Sequence, residues 1–69
     1  MELTEIELDI LRLLSEGYSN KEIGEKRFNA ESTIKYHVLS IYRKLGISGK
    51  QARVKAANIY REQYDARLY

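Results

Sequence analysis

Between Ser32 and Arg43 the chain sets Lys35, Tyr36, Leu39, Ser40 and Arg43 at spacings that share one side of a helix, with no acid among them. Two cations, an aromatic ring, a hydroxyl and an apolar group suit the reading of nucleic acid. Lys and Arg reach phosphates or guanine acceptors in the major groove, and an apolar side chain packs on the thymine methyl. A face exposed merely to water would favour Glu and Lys. The competing reading has Tyr36 and Leu39 packing on a neighbouring helix or a partner protein. His37, the single histidine, lies beside this face and can donate to a phosphate, near Thr33 and near Lys44, a further candidate DNA contact. Catalysis would need a nucleophile or carboxylate beside it, and the sequence suggests none. With no cysteine there is no disulfide, thiolate zinc site or thiol nucleophile, and one His among scattered carboxylates makes a poor metal site. No enzymatic activity, metal or cofactor is expected.

Charge supports a polyanionic partner. The total of 12 basic and 10 acidic groups is nearly balanced, yet residues 1–30 carry four basic and seven acidic side chains. Residues 31–69 carry eight basic and three acidic ones, with no acid between Ser32 and Arg61. A one-sign stretch filling half of a small chain suggests nucleic acid, and the alternative is a solvated helix surface.

These groups need elements to hold them. The absence of Pro and the abundance of Leu, Ile, Glu, Lys and Arg favour an all-α chain of four helices. Thr4 to Glu7 reads as a capping box with a Leu3/Leu8 staple, so the first helix runs over about 5–15. Ser19 to Glu22 repeats the pattern with Tyr18 and Ile23, after Gly17 at the end of the first helix, and the second helix covers about 20–27. Ile34, Val38, Ile41 and Leu45 form one narrow stripe on a third helix over about 31–45. Its start lacks a cap, because Ala30 stands where a Ser would serve. Ser48 to Gln51 reads as a third box after Gly46, opening a fourth helix over about 49–64. Gly24 falls inside a periodic segment with no evident reason. Only Phe28-Asn29-Ala30 joins the second and third helices, which fits a helix-turn-helix. The amides at the two helix starts offer further anion sites, Ser19, Asn20 and Lys21 at one and Ser32 and Thr33 at the other.

A chain of 69 residues forms one small domain, near the lower size limit for folding alone, so a second copy is an expected source of stability. Val54, Ala57 and the stem of Arg61 are expected to face the bundle. Ala52, Ala56, Ile59, Tyr60 and Tyr64 would then form a second strip for a homodimer, since small residues admit close approach and aromatics anchor interfaces. Alternatively, Ile59, Tyr60 and Tyr64 cover the end of the first helix in a monomer. Residues 65–69 should fray or extend the interface. No apolar run approaches the roughly 18 residues of a membrane span, and the acidic N-terminus is unlike a signal peptide, so a cytoplasmic domain is expected.

The blocks Leu3-Thr4, Glu7, Gly17 to Ile23, Ser32 to His37 and Lys44 to Ile47 together resemble the LuxR/GerE-type helix-turn-helix over residues 3–57. That resemblance implies a four-helix bacterial DNA-binding transcription regulator without enzymatic activity, with the third helix in the major groove. It further implies homodimerisation through the fourth helix on a two-fold operator of double-stranded DNA. By the same resemblance Thr33 and His37 contact phosphate, Lys35 a base or phosphate, and Tyr36, Leu39, Ser40 and Arg43 set the target. The chain departs from the family at Arg27 (usually Leu), Asn29 (Ile or Val), Ala30 (the capping Ser) and Ile6 (often Arg). Phe28 is expected to fill part of the apolar volume that Arg27 leaves. Because the altered turn is where DNA reading would suffer, a second hypothesis is an interaction module that pairs through the fourth helix with another regulator. Whether the 69 residues are a stand-alone regulator or the effector domain of a longer chain stays open.

Overall fold

The computed structural model describes residues 2–65, and positions 66–69 of the expected 65–69 tail lie outside them. Four helices follow in order, α1 (Glu5–Ser15), α2 (Asn20–Arg27), α3 (Glu31–Leu45) and α4 (Ala52–Gln63), with no strand among the described residues. None of these helices is long and apolar enough to cross a membrane.

The capping chemistry sets the first two starts. The Thr4 hydroxyl accepts from the Glu7 amide at 3.1 Å while Glu7 Oε1 accepts from the Thr4 amide at 2.9 Å. Ser19 and Glu22 make the same reciprocal pair at 3.1 and 2.9 Å. As expected, Ala30 stands before the first turn of α3 and gives it no side-chain cap. The third box does not form, and α4 starts at Ala52 rather than near residue 49. Gly49 adopts φ +87°, a left-handed conformation that breaks the helical turn such a box needs.

The core is built around α1, which packs against the other three helices. Ile10, Leu11, Leu13 and Leu14 meet Ile23 of α2, Ile34, Val38 and Ile41 of α3, and Ala56 of α4. Leu45, Tyr18 and Tyr60 close its edges. The α4 register differs from the expected one. Ala52 and Ala56 are buried, whereas Val54 is 55% exposed, because two alanines let α4 lie close to the core where Val was expected. The proposed strip of Ala52, Ala56, Ile59, Tyr60 and Tyr64 is therefore broken: its two alanines cannot meet a second copy. Ile59 and Tyr60 are half-buried, and Tyr64 stays exposed, its ring stacked on Tyr60 at 6.1 Å between centroids.

Gly24 has a reason that the sequence alone did not show. A Cβ there would stand 2.6 Å from the Asn29 carbonyl oxygen, and the Asn29 amide donates to the Gly24 carbonyl at 2.8 Å. This close approach lets a three-residue turn join α2 to α3. Phe28 contradicts its expectation. It ends α2 in the left-handed region at φ 58°, with its side chain 94% exposed, and fills no core volume. Arg27 instead folds back onto Asp9 of α1. Asp9 is also bonded by Arg12 at 2.7 Å, and Arg12 reaches Glu16 at 3.2 Å. Arg12's bond, then Arg27's, outweighs burial and holds the Asp9 carboxyl below its ordinary range.

Candidate nucleic-acid interface

α3 shows two opposed stripes. Ile34, Val38, Ile41 and Leu45 turn inward, and the same spacing shifted by two residues sends Ser32, Tyr36, Leu39 and Arg43 outward. Tyr36 is 73% exposed and Leu39 50%. Thr33, Lys35 and Arg43 are also exposed, so most of the expected recognition residues share one open surface. His37 is half-buried, its ring inclined at 70° to that of Tyr36 with 6.1 Å between centroids. Lys21 is exposed at the start of α2.

Ser40 and Lys44 stand apart from this surface. The Ser40 hydroxyl donates to Glu7 Oε2 at 2.9 Å, and the Lys44 ammonium donates to Glu7 Oε1 at 2.7 Å. Both were expected to face DNA, yet their polar atoms are held on α1. Glu7 is only 5% exposed. Burial raises its pKa, but the bonds from Lys44, the Thr4 amide and Ser40, with the Lys44 charge, outweigh that and lower it from 4.5 to about 2. Sequence reasoning missed this role of Glu7. A signal was present, since Glu7, Ile10, Leu11 and Leu14 form one apolar-face repeat, and an acid there demands partners.

Other expected contacts are also used inside the fold. Ser19 closes its own capping box, and the Asn20 amide oxygen accepts from Arg53 Nη1 at 3.0 Å. Arg53 Nη2 donates to the Tyr18 carbonyl at 2.7 Å, and Arg61 Nη1 to the Ser15 carbonyl at 3.1 Å. So Lys44, Arg53 and Arg61 of the basic half tie helices together. Lys21, Lys35, Arg43, Lys50 and Lys55 are exposed, and none forms an ion pair among the described residues. At the start of α3 no side chain caps the first amides, beside exposed Ser32 and Thr33. The arrangement offers unpaired cations around an aromatic and an aliphatic group, which suits a surface with fixed negative charge and apolar features between.

Comparison with known proteins agrees with this geometry. The pattern described as bacterial regulatory proteins, luxR family, matches residues 1–57. Transcriptional regulatory protein LiaR of Bacillus subtilis is 49% identical over 55 residues, which is 78% of this chain and 26% of LiaR. Putative HTH-type transcriptional regulators of Mycobacterium bovis and Mycobacterium tuberculosis are each 40% identical over 55 residues, 80% of this chain and 6% of theirs. The chain thus spans about a quarter or less of the length of these relatives. No solved structure matches it. With the pattern covering most of the chain and four helices arranged around a short α2–α3 turn, this protein belongs to the luxR family of bacterial regulatory proteins.

Proposed function

We propose that the chain is a DNA-binding transcription-regulator domain that seats α3 in the major groove and acts as a homodimer on a two-fold operator. The observation that carries this reading is the outward face of α3, where Lys35, Tyr36, Leu39 and Arg43 lie exposed with no acid beside them. Membership of the luxR family and the regulator names of the relatives support it. Lys21, Ser32, Thr33 and His37 serve as phosphate contacts that set the register, and Lys35 and Arg43 reach bases or phosphates. Work on bacterial DNA places the protein in the cytoplasm.

A titration of random duplex DNA across a salt series tests the reading. The expected log-log slope is several units, about 0.9 per phosphate neutralised, and Lys35→Ala lowers it by about one. Absence of binding at about 50 mM salt overturns the proposal. The exposed Phe28 at the turn favours a second reading, a module that docks on another regulator. That reading gains if DNA binding is absent while the chain still associates.

A further inference from the structure

We infer that α3 reads its site through the 5-methyl group of pyrimidines in the major groove, with Tyr36 and Leu39 as the methyl contacts. The inference rests on the proposed seating of α3 on DNA and specifies what that helix recognises there.

Elimination leads to it. The major groove is read by Asn or Gln on adenine, by Asp or Glu on the cytosine amine, by Arg or Lys on guanine, and by apolar groups on the thymine methyl. α3 has no Asn or Gln, and its one acid, Glu31, is its first residue. The Ser40 hydroxyl and the Lys44 ammonium are held by Glu7. With Ser32, Thr33 and His37 on phosphates in the proposed seating, two means of reading remain, the unpaired Lys35 and Arg43, and the Tyr36 ring and Leu39 side chain between them. Tyr36 and Leu39 are three residues apart, so they are neighbours on the helix surface. Both are exposed, and both lie on the stripe opposite the buried one.

Charge selects the occupant. An exposed aromatic–aliphatic pair alone would equally suit a protein. This pair is bracketed by two cations, and no acid occurs from Ser32 to the end of α3. The complementary surface carries regular negative charge with apolar points between, which matches duplex phosphates flanking a methyl-bearing groove. Thymine and 5-methylcytosine present that methyl at the same place, so the shared chemistry is the methyl and not the base.

The test begins with duplexes selected from random DNA by the chain itself. At each thymine of the selected site, thymine, uracil, cytosine and 5-methylcytosine are compared by fluorescence anisotropy. Uracil at one or more thymines of a half-site is expected to weaken binding about fourfold, the worth of one buried methyl. At the same positions 5-methylcytosine binds more tightly than cytosine. Leu39→Ala and Tyr36→Ala each reduce these differences and the double variant erases them, and circular dichroism checks that each variant folds. If uracil equals thymine everywhere while tight, salt-dependent binding persists, methyl reading is overturned and DNA binding stands. If methyl sensitivity survives in the double variant, the assignment to Tyr36 and Leu39 is overturned. Failure to bind any duplex overturns the seating of α3 together with this inference.

Discussion

Glu7 joins two local structures with one carboxylate, completing the cap of α1 and holding Ser40 and Lys44 of α3. Its pKa of about 2 lies below the ordinary 4.5, so its ionised form stabilises the fold fully above about pH 4.5. That contribution fades as the pH falls from 4.5 toward 2, and its full size is about 3 kcal/mol. Urea unfolding at pH 6 and at pH 3 should therefore show a marked loss of stability on acidification. Glu7→Gln should be less stable at pH 6 and change much less between the two, keeping the shares of Asp9 and Glu22. A variant as acid-sensitive as the parent would mean that another group carries the effect. This residue also marks the limit of sequence reasoning. Its capping role follows from neighbours within one turn, whereas Ser40 and Lys44 lie 33 and 37 residues away, where local rules do not reach.

At the scale of elements, the bounds of α1, α2 and α3 were legible because capping boxes open α1 and α2, glycines follow α1 and α3, and a 3.6-residue repeat runs along α3. α4 was less so. Its apparent box was undone by one left-handed glycine, and alternating Ala and Val left its buried side ambiguous until Ala52 and Ala56 were seen inside. The turn between α2 and α3 holds Phe28 in a left-handed conformation that glycine adopts without penalty. Phe28→Gly should relieve about 1 kcal/mol and raise Tm by roughly 4–8 °C. Thermal unfolding followed by circular dichroism checks this, and an unchanged or lower Tm would show that the exposed ring makes a compensating contact. Gly24 admits no such change, since any side chain there meets the Asn29 carbonyl.

For the whole molecule, the uneven charge along the chain has two uses. Lys44, Arg53 and Arg61 hold the basic half against the rest, while Lys35 and Arg43 stay exposed and unpaired, as the proposed DNA contact requires. Composition could reveal the excess but not this division, which depends on which side of each helix faces the core. The small core also keeps association a live proposal, carried now by Ile59 and Tyr64 rather than by the alanines. Tyr64→Glu tests it better than a change at Tyr60, whose ring packs on the core. Sedimentation should give a dimer for the parent and a monomer for Tyr64→Glu, and an unchanged dimer would move the interface elsewhere. The shared carboxylate of Glu7 also bears on how the molecule opens. A first helical turn ordinarily frays alone, yet here unwinding it also releases the anchor of α3. The amides of that turn should thereby exchange more slowly than those of a free helix end, with the edge of α1 opening together with α3.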